Sequence, residues 1–129
     1  MIKKEVIATN KAPIPVGPYS QAIRAGSFIF VAGQGPIDPR TRQIIGNTIE
    51  EQTEVTLNNI KAILEEAGSS MENVIKVTVY LSNIEDFDAM NRVYSKFFRE
   101  NPPARTTIQA KLWKNILIEI DAIAVIPDK

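Results

Sequence analysis

The sequence predicts an α+β fold, a two-layer sandwich in which a mixed sheet carries two helices on one face. Three observations support this fold class. The elements follow one another as strands, helix, strand, helix and strands, both helical segments are amphipathic, and apolar residues alternate along the strands. A length of 129 residues suits one domain, and we expect that domain to extend over residues 1–129.

Three short strands are predicted before the first helix. Residues 4–8 form the first strand, and residues 20–25 and 28–32 form a hairpin about Gly26-Ser27. The turn region between the first two strands cannot join a central ladder because it is rich in proline. It contains Pro13, Pro15, Gly17 and Pro18.

The first helix is predicted over residues 48–67. Thr48 and Glu51 form a capping box at its start, and Gly68 provides the C-terminal stop. Residues 74–81 then alternate in the manner of a half-buried strand. The apolar face of this strand is predicted to consist of Ile75, Val77, Val79 and Leu81.

The second helix is predicted to begin at a cap formed by Ser82 and Glu85 and to end before Pro102-Pro103. Its apolar stripe consists of Phe87, Met90, Tyr94 and Phe97. Residues 104–110 and 116–126 are the closing strands. The last strand is apolar on both sides, although a sheet face in water should be mostly polar. We therefore expect the uncovered face of the sheet to pack against another subunit.

The composition limits the chemistry that the chain can perform. It contains no Cys and no His, which excludes thiolate nucleophiles, disulfides and the Ser-His-Asp triad. Fifteen basic and fifteen acidic residues give a net charge of 0, which does not favour a nucleic-acid partner. The first ten residues lack an apolar segment, and residues 25–37, the longest uncharged stretch, are too few to span a bilayer. We expect a cytoplasmic protein with no membrane partner.

Glu119 is the most informative acid because it interrupts an apolar run in the last strand. Burial should raise its pKa unless a cation or a donor compensates. Asp121 lies on the same face, about 6.6 Å further along the strand. Two solvated carboxylates at a sheet edge explain the pattern equally well, whereas two acids without further ligands make a poor metal site.

Three further side chains are candidates for binding a ligand. Arg105 enters a strand after a rigid turn and shares a face with Thr107 and Gln109, where it could bind a carboxylate with two parallel hydrogen bonds or form a weak surface ion pair. The phenol of Tyr19 could donate to a ligand or simply pack. Asn91 lies beside the apolar stripe of the second helix. Its amide either has its hydrogen bonds satisfied within the core or contacts a ligand.

The remaining motifs are weaker. Gly33-Gln34-Gly35-Pro36 matches neither the Walker pattern nor the dinucleotide fingerprint, so we predict no nucleotide site. Lys3-Lys4 and residues 40–42 (Arg-Thr-Arg) are expected to be solvated surface. Trp113 either covers an interface or closes a pocket.

Taken together, several separated segments resemble the RidA/YjgF family of reactive-intermediate deaminases. They are residues 17–22, 30–34, 74–81, 86–91, 103–105 and 118–124. The resemblance implies a chorismate-mutase-like fold, assembled as a homotrimer with ligand clefts between subunits. It also implies cofactor-free and metal-free hydrolysis of 2-imino acids, of the 2-aminoacrylate and 2-iminobutanoate type, to 2-oxo acids and ammonia.

The family's site residues carry over to matching positions of this chain. The resemblance implies that Arg105 binds the substrate carboxylate, that Glu119 orients or deprotonates water, and that Tyr19 belongs to the catalytic set. The substrate-binding positions are Ala32, Gly33, Asn91 and Thr107.

The chain departs from the family pattern in three places. Relatives often have Ser where this chain has Ala32 and Cys where it has Thr107, and residues 108–113 are one residue shorter than is usual. These departures predict a changed substrate size preference or rate. The alternative function is a non-catalytic protein of the same fold that binds a small 2-oxo acid or acts as a chaperone-like or RNA-related regulator.

Overall fold

A six-stranded mixed sheet forms the centre of the structure, a computed structural model that describes residues 1–127. The strands are β1 (Lys4–Ile7), β2 (Ala22–Ala25), β3 (Phe28–Gln34), β4 (Val74–Leu81), β5 (Ala104–Gln109) and β6 (Ile118–Val125). Their order is β1-β2-β3-β6-β4-β5, in which β4 and β5 are parallel and all other neighbours are antiparallel. The predicted mixed sheet is thus confirmed, and the last two residues of the predicted domain lie outside the described residues.

Two helices cover one face of this sheet, as predicted. The helix α1 (Ile49–Glu66) packs on β3 and β6, and α2 (Phe87–Phe97) packs beside α1. The capping box of α1 is present, since the Glu51 amide donates to Thr48 Oγ1 at 3.1 Å and the Thr48 amide donates to Glu51 Oε1 at 3.2 Å. Gly68 follows with a φ of +84°, which favours glycine.

The predicted cap of α2 is wrong. A short 3₁₀ turn, Ile84–Asp86, precedes the helix, and Asn83 accepts a hydrogen bond from the Glu85 amide at 3.0 Å. Ser82 forms no capping box with Glu85, because Glu85 lies inside this turn rather than in the first turn of α2.

The predicted buried face of β4 is also wrong at one position. Ile75 is 43% exposed, because the register between β4 and β6 shifts between Val74 and Lys76 and places Val74 on the buried side. The residues after the shift are buried as predicted: Val77, Val79 and Leu81.

The opposite face of the sheet is open. In β6, the residues Ile118, Ile120, Ala122 and Ala124 are buried under the helices, and the residues between them are half-buried on the open side. Phe28 pairs there with Val125 and Phe30 with Ile123, and the two phenylalanines are 44% and 45% exposed. We call these four residues the apolar patch: Phe28, Phe30, Ile123 and Val125. Within residues 1–127, no helix combines the length and the hydrophobicity that crossing a membrane requires.

Candidate active site

Glu119 lies on the open face of the sheet, beside a cavity of about 440 Å³. It pairs with Tyr80 across the β4–β6 ladder and is half-buried. The cavity is bounded by the Pro-rich loop, the end of β3 and the segment that precedes β6. Its lining includes Ile14, Val16, Tyr19, Ala32, Gly33, Arg42, Trp113, Ile116 and Glu119. Cavities of this size hold small ligands.

A β-bulge at the end of β3 makes room for the Glu119 carboxylate. Val31 pairs with Ala122 and Gln34 with Ile120, so that two residues of β3, Ala32 and Gly33, lie opposite one residue of β6. A Cβ at Gly33 would overlap the Glu119 carboxylate and lie 2.9 Å from its Cδ. A side chain at position 33 would therefore displace the Glu119 carboxylate, which lies against the backbone at this point.

The pKa of Glu119 is raised, as predicted from the sequence. Burial is the main cause, and the charge of Asp121 on the same face adds to it. Asp121 itself accepts a hydrogen bond from the Tyr80 hydroxyl at 3.0 Å, whereas the side chain of Glu119 forms no hydrogen bond with any other residue among 1–127. A raised pKa makes the ionised carboxylate a stronger proton acceptor than an ordinary glutamate, which suits a general base.

Tyr19 lies in the same cavity as Glu119, with its ring half-exposed. Its hydroxyl oxygen accepts a hydrogen bond from the Val16 amide at 3.2 Å. Because this bond uses the oxygen as an acceptor, the phenolic proton is still able to donate to a ligand.

Gln21 holds the Pro-rich loop in place, a role that no sequence signal indicated. It is 3% exposed, and its amide nitrogen donates to the carbonyls of Thr9, Ala12 and Pro13 at 2.8 to 3.2 Å. The Thr9 amide donates back to the Gln21 side-chain oxygen at 2.7 Å. This buried side chain thereby fixes one wall of the cavity.

Trp113 and Arg42 form further parts of the cavity wall. Trp113 is 49% exposed, and the ammonium of Lys114 lies 4.6 Å from the centre of its ring. The sequence left open whether Trp113 closes a pocket, and the structure shows that it lines one without filling it. Arg42 is exposed, as expected for residues 40–42, but it also contributes to this wall.

Arg105 lies on the other face of the sheet. It pairs with Val77, which is buried under the helices, whereas Glu119 pairs with Tyr80 on the open side. Its guanidinium carbon lies 4.6 Å from the ring centre of Tyr94 and 5.4 Å from that of Phe87, and the Met90 sulfur lies 4.0 Å from Nη1. The half-buried guanidinium has no acidic partner among residues 1–127.

Two other predicted site residues lie near Arg105. Asn91 is half-buried on α2, four residues after Phe87 and three before Tyr94, so it neighbours the rings that hold the guanidinium. Thr107 follows Arg105 by two residues, faces the same side and pairs with Val79. Burial raises the pKa of the Tyr94 hydroxyl to about 12, although the nearby Arg105 charge opposes this shift.

The predicted site residues thus form two separate groups within one chain. The cavity group contains Tyr19, Ala32, Gly33 and Glu119, and the guanidinium group contains Asn91, Arg105 and Thr107. Arg105 and Glu119 do not converge inside one chain because they lie on opposite faces of one sheet. A site that contains both requires a second copy of the chain.

The comparisons with known proteins agree with this fold. A family model described as Endoribonuclease L-PSP matches residues 9–126. A RutC family protein of Pyrococcus abyssi is 59% identical over 122 residues, which cover 94% of this chain and 96% of that protein. A 2-iminobutanoate/2-iminopropanoate deaminase of Dermatophagoides farinae is 39% identical over 127 residues, covering 98% of this chain and 99% of that protein.

Among solved structures, RidA from the Antarctic bacterium Psychrobacter superimposes with a TM-score of 0.90 at 38% identity, covering 94% of this chain and 98% of that one. The fold defines the class of protein as a mixed-sheet α+β protein with the architecture of these relatives. The chain belongs to the YjgF/RidA/RutC family, which confirms the resemblance inferred from its motifs.

Proposed function

We propose that this protein hydrolyses reactive 2-imino acids of the 2-iminobutanoate and 2-iminopropanoate type to 2-oxo acids and ammonia. The observation that supports this most is the environment of Arg105. Its half-buried guanidinium is held between two aromatic rings and has no carboxylate partner among the described residues. Such a cation is suited to bind an anion from outside the chain, and a planar carboxylate matches its two parallel N–H donors.

The proposal includes a homotrimer whose sites lie between neighbouring subunits. Arg105 and Glu119 face opposite sides of the sheet, so a neighbouring copy must supply the second group. The apolar patch on the open face gives such a neighbour an apolar surface to cover, since large apolar areas are rarely left in water. In a ring of identical subunits, one surface of each chain meets a different surface of the next, which brings the two groups together.

In the proposed reaction, Arg105 holds the substrate carboxylate. The imine is protonated on nitrogen, and its carbon faces a water molecule beside Glu119. The Glu119 carboxylate accepts a proton from this water as the new C–O bond forms, which gives a carbinolamine. The protonated Glu119 then returns the proton to the amine nitrogen. The C–N bond breaks and ammonia leaves as the carbinolamine hydroxyl gives its proton to Glu119 and becomes the C=O group. One water is consumed, and no oxidant or reductant is needed.

The structure provides physical support for each role. General base catalysis by a well-placed group contributes about 10²- to 10⁴-fold, and it is most effective when the pKa of the base lies near the working pH. Burial raises the pKa of Glu119 toward that range. Tyr19 can donate its phenolic proton to the developing alcohol, and Asn91 and Thr107 lie beside the carboxylate site.

The direct test measures ammonia and 2-oxo acid released from an imine that an amino acid oxidase generates in the assay. The wild type should release both faster than buffer, and Arg105→Ala should lose most of this acceleration. Arg92→Ala is the matched control, because Arg92 lies on α2 with a solvent-exposed ion pair to Glu50. Equal rates for the wild type and Arg105→Ala would contradict the carboxylate site.

A second variant separates an enzyme from a protein that only binds. Glu119→Gln should abolish turnover while leaving the affinity for a 2-oxo acid nearly unchanged. If the wild type binds a 2-oxo acid through Arg105 but releases no ammonia, the non-catalytic function of the same fold is the correct one. Salt-sensitive binding to RNA would instead favour the nucleic-acid function, which a net charge of 0 does not support.

A further inference from the structure

Arg42 has an unusual place in the cavity that contains Glu119. From the sequence it belongs to a short basic surface cluster, yet the fold makes it part of the cavity wall. Its φ is +64°, in the left-handed region that favours glycine, so a long side chain is retained there against the backbone preference. Strained backbone positions of this kind concentrate at functional sites.

The loop that carries Arg42 is firmly held. Within it, the Arg42 amide donates to the Asp38 carbonyl, and the Asp38 amide donates to the Gln43 carbonyl, both at 2.9 Å. The loop is also attached to α1, because Asn59 donates to the carbonyls of Gly35 and Ile37 at 3.1 and 2.9 Å. Arg42 is therefore presented to the cavity from a fixed backbone.

The charge of Arg42 is not used inside the described part of the chain. Arg42 forms no ion pair with any residue among 1–127, including Glu119 in the same cavity. The pKa of Glu119 is raised by burial and by Asp121, and Arg42 does not counteract either cause. The guanidinium and the carboxylate therefore line the same cavity of about 440 Å³ and form no ion pair with each other.

We propose that Arg42 binds a second anionic group on the substrate and makes this protein selective for 2-imino dicarboxylic acids. This inference rests on the proposed function, and it adds a substrate class to that function. The α-carboxylate would bind Arg105 of a neighbouring subunit, the imine carbon would face Glu119, and the side-chain carboxylate would reach Arg42. A substrate with a neutral side chain would leave this cation without a partner.

The test compares two imines generated in situ by amino acid oxidases. One has a neutral four-carbon skeleton and the other is a five-carbon dicarboxylic acid. Arg42→Gln should lower kcat/KM for the dicarboxylic imine by about 10- to 100-fold, because a charge-assisted hydrogen bond is lost. Its effect on kcat/KM for the neutral imine should be clearly smaller, because that substrate has no second anionic group to bind Arg42.

Two controls accompany this variant. Arg40→Gln alters an exposed arginine of the same loop that does not line the cavity, and it should change neither substrate. Arg42→Lys keeps the charge and should recover part of the selectivity. Glutamine meets the same backbone constraint as arginine at this φ, so Arg42→Gln introduces no additional strain.

The outcomes separate this inference from the proposed function. An unchanged ratio of the two kcat/KM values in Arg42→Gln, with the neutral imine still hydrolysed, would overturn the role of Arg42 alone. An equal loss for both imines would also overturn it, because Arg42 would then bind the carboxylate that all substrates share. If the wild type hydrolyses neither imine, the proposed function fails. In that case, calorimetry would measure the affinities of the wild type and of Arg42→Gln for 2-oxoglutarate and for 2-oxobutanoate. Equal effects of the substitution on both affinities would overturn the role of Arg42.

Discussion

Replacing Arg105 by methionine should remove carboxylate binding and leave the stability of the protein nearly unchanged. A bidentate contact provides two charge-assisted hydrogen bonds of about 1.5 to 3 kcal/mol each. Their loss amounts to about 3 to 6 kcal/mol, which corresponds to a fall in kcat/KM of about 10²- to 10⁴-fold.

The free energy of unfolding should change by less than about 1 kcal/mol in Arg105→Met. The variant loses two cation–π contacts, to Phe87 and Tyr94, each of about 0.5 to 1 kcal/mol. It gains a similar amount, because a half-buried cation without a counter-charge is removed and the methionine sulfur packs well against aromatic rings.

The assay pairs steady-state kinetics on an oxidase-generated imine with urea unfolding of the same samples. Arg92→Met is the control, since its partner Glu50 lies 3.6 Å away on the surface and such pairs contribute little to stability. Wild-type kinetics in Arg105→Met would refute the carboxylate site. A large loss of stability in this variant would refute the view that Arg105 is held for binding rather than for folding.

Three other changes test the two halves of the site. Because burial raises the pKa of Glu119, ionisation of this carboxyl destabilises the folded state above that pKa, and it has no effect at pH values where the carboxyl is protonated in both the folded and the unfolded state. Glu119→Gln should therefore increase the urea midpoint at pH 8 but not at about pH 4. Equal effects at both pH values would contradict this. Gly33→Ala should displace the Glu119 carboxylate and lower kcat by about tenfold or more, with a melting temperature within a few degrees of the wild type. An unchanged kcat would show that the position of the carboxylate against the Gly33 backbone is not needed for the reaction. Tyr94→Phe removes a buried hydroxyl without a well-formed hydrogen bond and keeps the ring that faces Arg105. The melting temperature of this variant should equal or exceed that of the wild type, and its activity should stay within about threefold. A clear drop in melting temperature would indicate a missed partner for the hydroxyl.

Features set by local sequence could be predicted well. The capping box and the glycine stop of α1 depend on residues within a few positions of each other, and both are present. The raised pKa of Glu119 agrees with the burial that its place in an apolar strand indicated, whereas the sequence left two solvated carboxylates at a sheet edge equally open.

Features set by distant pairing could not be predicted from the sequence. Ile75 reads as a buried residue, but the register shift that exposes it depends on the pairing of β4 with β6, far along the chain. The face that Arg105 occupies is likewise set by its parallel pairing with Val77. Phe87 and Tyr94 fit a core stripe at helical spacing, and only the packing of α2 over β5 shows that they hold a guanidinium.

The most direct test of a site shared between chains is subunit complementation. Arg105→Met and Glu119→Gln chains carrying different tags would be co-expressed and purified through both tags. Each variant alone should be inactive. Mixed trimers should regain about a third of the wild-type activity, because every trimer that contains both variants has one interface in three at which an intact Arg105 meets an intact Glu119. Mixed assemblies as inactive as their parents would contradict a site in which these two residues come from different subunits.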